Sequence, residues 1–108
     1  MGTNQVVALI TAPSREVGER IAQALVEGTL AACVNIVAPI RSVYTWEGKT
    51  CREEEVLLVA KTTLAVFQGP FVPAVKALHP YDVPEIIALP IVAGAGDYLQ
   101  WIERATQA

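Results

Sequence analysis

The stretch Val56-Leu57-Leu58-Val59-Ala60 is apolar at every position. In an extended strand successive side chains point to opposite faces, so Val56, Leu58 and Ala60 face one way and Leu57 and Val59 the other. A strand apolar on both sides is expected where both faces of a sheet are covered. The chain's own helices can cover one face. Something else has to cover the second.

Composition points the same way. The chain has 108 residues, the size of one ordinary domain spanning 1–108, and 53% of them are apolar, with a mean hydropathy of +0.40. A domain of this length hides only about two-thirds of the surface its unfolded chain exposes. The surplus can go into a bilayer or against other copies of the chain. Uncharged runs such as 29–40 and 86–96 are short and interrupted by Pro39 and Pro90, whereas a spanning helix needs about 20 mostly apolar residues. The start Met-Gly-Thr-Asn-Gln has neither a basic region nor an apolar signal segment, and Val6 stands where an acylation motif at Gly2 needs Ser or Thr. A soluble, self-associating protein without a membrane partner is expected.

Charge and cysteine usage narrow the function classes. The formal net charge is -3, from 8 basic and 11 acidic residues, and the basic ones are scattered from Arg15 to Arg104. That is no footprint for nucleic acid. Two cysteines, Cys33 and Cys51, are too few for a secreted disulfide framework. A reducing, cytoplasmic location is the natural reading.

Along the chain, residues 5–11 (QVVALIT) read as a buried strand ending before Pro13. Ser14 opens a helix with Val17, Ile21, Ala24 and Leu25 on one face and Gly28 as its stop. Residues 30–46 and 51–62 read as the arms of one long hairpin turning at Glu47-Gly48-Lys49. Pro39 cannot donate to a ladder and should mark a bulge, bend or edge. A helix within 67–78 is expected to start near Gly69 with Pro70 at its first position. A strand follows over 84–92, and Asp97 then caps a last helix whose apolar face is Tyr98, Trp101, Ile102 and Ala105. The order is β-α-β-β-α-β plus a C-terminal helix, an α+β class of ferredoxin-like type.

The densest group of unusual residues is His79-Pro80-Tyr81-Asp82-Val83-Pro84-Glu85. Prolines stiffen such a loop, and histidine is the commonest metal ligand and titrates near neutrality; a helix-capping role is the structural alternative. Cys33, in an apolar strand, is expected to be a packed thiol. Glu53 and Glu54 read as a solvated edge, while Glu55 and Lys61 bracket the apolar run and should be partly buried and paired. Tyr44 and Trp46 share a strand face and suit an interface or a pocket wall. No phosphate-binding loop, dinucleotide fingerprint, nucleophile elbow or zinc-protease pair occurs. No catalytic residue is nominated, and the chain is expected not to be an enzyme.

Taken together, Ala31-Ala32-Cys33-Val34-Asn35-Ile36, Val43-Tyr44-Thr45-Trp46-Glu47-Gly48-Lys49, Glu54-Glu55-Val56, Lys61-Thr62 and His79-Pro80-Tyr81-Asp82-Val83-Pro84-Glu85-Ile86 resemble the CutA family of divalent-cation tolerance proteins. The resemblance covers nearly the whole chain. It implies a ferredoxin-like fold in a cytoplasmic homotrimer similar to the PII signalling proteins, and a link to divalent metal ions, copper above all. It also implies a cleft between subunits lined by Cys33, Trp46, Glu55, Lys61, His79, Tyr81 and Glu85. Ile10 and Leu78 stand where some relatives carry further metal ligands, so His79 is the metal candidate left, with Glu85 or Cys33 beside it across a subunit boundary. The implied cofactor is Cu2+ or another divalent cation, with no organic cofactor. The alternative is a trimeric sensor or scaffold whose cleft, with Lys61 and Glu55 near Trp46, takes a small anion or a protein partner. A third reading makes Cys33 a nucleophile with His79 as its base.

Overall fold

A computed structural model describes residues 3–107. The leader and acylation readings at Met1 and Gly2 lie outside these residues. Four strands, β1 (Gln5–Ala12), β2 (Cys33–Trp46), β3 (Lys49–Thr63) and β4 (Ile86–Pro90), form one sheet in the order β2-β3-β1-β4. Every neighbouring pair is antiparallel. Three helices accompany them: α1 (Arg15–Glu27), a kinked α2 over 64–78, and α3 (Gly96–Ala105).

The core follows from the alternation on the two central strands. Ala8, Ile10 and Ala12 of β1 stand opposite Ala60, Leu58 and Val56 of β3, and all six are buried with Ile21 and Leu25 of α1 and Phe71 and Val75 of α2. Each large side chain fully buried in this way contributes about 1.5–3 kcal/mol. Helix α1 starts as its sequence dictates: the Val17 N–H donates to Ser14 Oγ at 3.2 Å, and Gly28 closes the last turn. Its buried face runs through Gly18, Ile21, Ala22 and Leu25, so Ala22 replaces the expected Ala24, which is exposed. Gly18 permits the close approach. A Cβ there would stand 2.9 Å from Val56 Cγ2.

Three expectations are corrected. Helix α2 begins at Leu64, not near Gly69, because Thr63 Oγ1 caps it by accepting from the Val66 N–H at 3.3 Å. Gly69 then leaves the helical region, at φ -99° and ψ -108°, and the turn widens over Phe67–Phe71. Pro70 explains this, since it has no N–H to offer the carbonyl four residues back and its ring crowds that carbonyl. Strand β4 is shorter than 84–92: it covers Ile86–Pro90, with the donor-less Pro84 ahead of it and the donor-less Pro90 as its last residue. At the last helix, Ala95 and not Asp97 occupies the cap position; Asp97 sits in the first turn, its carboxylate accepting from the Tyr98 N–H at 2.8 Å.

The hairpin turns at Glu47 and Gly48, between the paired Trp46 and Lys49, and both turn residues have positive φ, 52° and 78°. Pro39 lies in a bulge on the sheet's edge strand: Val37 pairs with Leu57 and Ile40 with Glu55, so Ala38 and Pro39 together oppose Val56. Because Leu57 and Glu55 share a face, so do Val37 and Ile40. The bulge thus passes one sheet face from odd to even residues of β2, and Tyr44 and Trp46 join the face that carries Cys33, Asn35 and Val37.

That second face is only partly covered. Helix α3 crosses one end of it, where Gln5 Nε2 donates to the Leu99 carbonyl at 2.9 Å. Elsewhere Val7, Leu9, Leu57 and Val59 are half-buried, and Val37, Ile87 and Leu89 remain about half exposed. Among the described residues no helix is long and apolar enough to cross a membrane.

Candidate functional site

The outer half of the hairpin and the loop between α2 and β4 border a half-open cavity of about 780 Å³ on this same face. Three side chains, His79, Tyr81 and Tyr44, hold its walls in place. His79, 8% exposed, has both ring nitrogens engaged: Nε2 donates to the Thr11 carbonyl at 2.7 Å, and Nδ1 accepts the Tyr81 N–H at 3.2 Å. A carbonyl can only accept, so the proton sits on Nε2 and the ring ties the proline-rich loop to β1. The Tyr81 ring packs at 4.8 Å from the imidazole, and its hydroxyl crosses to β3 to donate to Glu55 Oε2 at 2.7 Å. On the hairpin, Tyr44 donates in the same way to Glu53 Oε1 at 2.5 Å.

Both phenols are held in the protonated, donating form. Burial, and then the hydrogen bond to Glu55, push Tyr81 well above the usual tyrosine range. The bond to Glu53, followed by desolvation, pushes Tyr44 up to about 12. Glu55 is itself 5% exposed.

The structure divides the sequence-predicted residues into two groups. Trp46, Glu55, Tyr81 and Glu85 line the cavity, and His79 braces the loop beneath it. Cys33 and Lys61 lie elsewhere, directly opposite one another on β2 and β3. Lys61 Nζ donates to Asn35 Oδ1 and stands 3.7 Å from Cys33 Sγ. Lys61 is six residues along β3 from Glu55, roughly 20 Å at strand rise. The two charges that bracket the apolar run are therefore not partners: Glu55 is held by Tyr81 and Lys61 by Asn35. Cys33 stands opposite Lys61, whereas His79 is bound to Thr11, which pairs with Leu57 four residues away along β3, roughly 13 Å at strand rise, so the two do not form an intrachain nucleophile–base pair. Sequence reasoning passed over Glu53, treated as solvated edge, and Arg41, which also line the cavity, as does Asp82, named in the proline-rich group but not in the cleft set. For Glu53 a signal existed, since it lies two residues from Glu55 and so shares its strand face.

As a metal centre the donor set of one chain does not fit. Among the described residues no three His, Cys, Asp or Glu side chains converge, and the single imidazole already spends both nitrogens on the backbone.

Residues 6–105 match the family model for the CutA1 divalent ion tolerance protein. The chain is 53% identical over 100 residues to the divalent-cation tolerance protein CutA of Thermus thermophilus, covering 93% of this chain and 96% of that one. It superposes on the solved structure of the T. thermophilus protein with a TM-score of 0.93 at 51% identity, over 95% of this chain and 99% of that one. Identity is 47% over 102 residues to the chloroplastic CutA protein of Arabidopsis thaliana, 94% of this chain but 56% of the plant protein, so the chain spans just over half of that relative's length. A structure described as the periplasmic divalent cation tolerance protein CutA from Archaeoglobus fulgidus matches at TM-score 0.91 and 43% identity, over 95% and 99% of the two chains.

Proposed function

The chain belongs to the CutA1 divalent ion tolerance family, and from that premise we propose that it works as a cytoplasmic homotrimer of one-domain, ferredoxin-like subunits, a binding protein in the response to divalent cations and not an enzyme. The strand order β2-β3-β1-β4 supports the ferredoxin-like arrangement. The half-exposed apolar face supports assembly. Two free cysteines, Cys33 and Cys51, suit a reducing compartment.

One observation carries the binding role: a cavity of about 780 Å³ whose walls are fixed by hydrogen bonds from Tyr44, His79 and Tyr81. Its size is that of small-molecule sites, which run to about 300–1,000 Å³, and rigid walls are what a ligand needs to find prepared. The trimer then acts as a sensor or scaffold whose state depends on a small ligand. Copper, in this reading, would be held weakly at an inter-subunit site by His79 with Glu85 or Cys33. Both His79 ring nitrogens are hydrogen-bonded, so the imidazole would have to give up one of those bonds, and a selective copper site needs more N or S donors than that.

A thermal-shift screen of metabolites against the metal-free protein tests the binding role, because a ligand of the folded state raises Tm by mass action. The expected result is a rise in wild type that disappears in Trp46→Ala. No rise for any metabolite class, together with a large rise for copper alone, would overturn it. For copper, equilibrium dialysis should show weak retention by wild type and less by His79→Ala; equal retention by both removes His79 as the ligand.

A further inference from the structure

The cavity proposed above as a ligand site has walls of an unusual kind. Four carboxylates line it, Glu53, Glu55, Asp82 and Glu85, against one guanidinium, Arg41. Three aromatic rings, Tyr44, Trp46 and Tyr81, line it too. The tyrosines turn their hydroxyls onto Glu53 and Glu55, which fixes the carboxylates without neutralising them. Glu55 lines the cavity although only 5% exposed, and its Oε2 takes the Tyr81 hydroxyl. A buried carboxylate held only by a neutral donor keeps a strong demand for a positive partner.

Small anions do not answer that demand, and Lys61, the cation that suggested an anion, lies outside the cavity. A bare divalent ion answers it poorly, because no three ligating side chains converge among the described residues and aromatic faces give a hard cation no lone pairs. An organic cation uses both kinds of wall: its charge meets the carboxylates, and its hydrocarbon and positive surface lie on ring faces, which attract cations within about 6 Å.

We infer that the cavity between the β2–β3 hairpin and the loop of residues 79–85 binds a small organic cation, an alkylammonium or alkylguanidinium compound, with Glu55 as its buried counter-charge and Trp46 as its aromatic wall. This rests on the binding role proposed for the cavity and names the ligand class. Specificity comes from pairing a fixed carboxylate with an apolar wall, so that a neutral molecule of the same shape leaves Glu55 without a partner and an anion meets repulsion.

The test uses the assembled protein carrying Trp101→Phe, which leaves Trp46 as the one fluorescent indole. Four probes are titrated: choline, agmatine, 3,3-dimethylbutan-1-ol as the neutral counterpart of choline, and succinate. Choline and agmatine should change Trp46 emission saturably, less strongly as sodium chloride is raised, and the other two should not. Glu55→Gln, which keeps the Tyr81 hydrogen bond, should weaken cation binding about tenfold or more, as expected when a charged partner is lost. Glu85→Gln, at an exposed position, should weaken it by a smaller factor and serves if Glu55→Gln fails to fold. Equal binding of the neutral probe or of succinate overturns the cation class and leaves the cavity as a ligand site. No response to any probe overturns the cation inference, and the metabolite screen then decides separately whether the cavity binds at all.

Discussion

Tyr81 and Glu55 join the proline-rich loop to the central sheet with one hydrogen bond of 2.7 Å, and that bond makes a pH prediction with a definite sign. The folded protein raises Tyr81 above its ordinary value, mainly by burial and next by the bond to Glu55, so the folded state holds this proton more tightly than the unfolded one. The stabilisation is complete below about pH 10, where an unfolded tyrosine is still protonated, and is lost as pH rises through the raised value. Titrating the ultraviolet tyrosinate band should therefore show one phenol ionising after the others. Tyr81→Phe should delete that last step, and Glu55→Gln should lower it only partly, because burial remains. A last step unchanged in Tyr81→Phe would refute the assignment. Gly18 makes a second prediction at this scale. With Val56 Cγ2 2.9 Å from where a Cβ would stand, Gly18→Val should cost about 1–3 kcal/mol by overpacking and lower the urea midpoint without changing the slope. The candidate site was legible in part. Glu55 stands out at the end of an apolar run, Trp46 by strand alternation, and Tyr81 and Glu85 in the proline-rich group, and the family resemblance gathers all four into one cleft. That Lys61 and Glu55 are not partners follows from six residues of strand rise; what the sequence hides is that Tyr81, from a distant loop, holds Glu55 and Asn35, across the hairpin, holds Lys61.

The β2–β3 hairpin shows why elements were more legible than contacts. Its arms and turn follow from local chemistry, and even Pro39 announced an irregularity, since a residue without an N–H cannot complete a ladder. What the sequence could not say is that the irregularity is a two-for-one bulge, which moves Tyr44 and Trp46 to the opposite face from the one that simple alternation from Cys33 assigns them. Helix α2 was misplaced for a similar reason: the cap at Thr63 follows directly on the strand read over 51–62, and Gly69 and Pro70 look like a start when they form a kink. The turn at Glu47-Gly48 carries the element-scale prediction. Both residues have positive φ, as a two-residue hairpin turn that matches strand twist requires. Glutamate is strained there, whereas asparagine tolerates the region. Glu47→Asn should therefore raise stability by about 0.5–1 kcal/mol, and Gly48→Ala should lower it by about 1 kcal/mol or more, both read from chemical denaturation. The same sign for both substitutions would show that turn geometry does not govern hairpin stability.

At the scale of the whole molecule, shape and surface make the same demand. The chain measures 44 × 27 × 23 Å with a radius of gyration of 14.2 Å, above the roughly 13 Å of a compact chain of about this length. The hairpin accounts for the excess. Strand β3 pairs with β1 only from Val56 to Thr63, so Lys49 to Glu55 has β2 alone as a neighbour, and a two-stranded ribbon is marginal in water without a third strand or a packed layer. Beside this arm lies the apolar face that α3 leaves open, with Ile87 47% and Leu89 50% exposed on the edge strand β4. One arrangement meets both needs: copies of the chain packing sheet face to sheet face, each supporting another's hairpin. Light scattering behind size exclusion should then give wild type a mass of three 11.6 kDa chains. Its thermal midpoint should rise with protein concentration, as it must when folding and association are linked. Ile87→Glu with Leu89→Glu places two charges on the open face and leaves the helix-side core untouched, so it should shift the mass to a single chain and abolish the concentration dependence while keeping the circular dichroism of the fold. A wild type that runs as a single chain at micromolar concentration, with a midpoint independent of concentration, would sink the assembly; a trimer that survives both glutamates would move the interface to another surface.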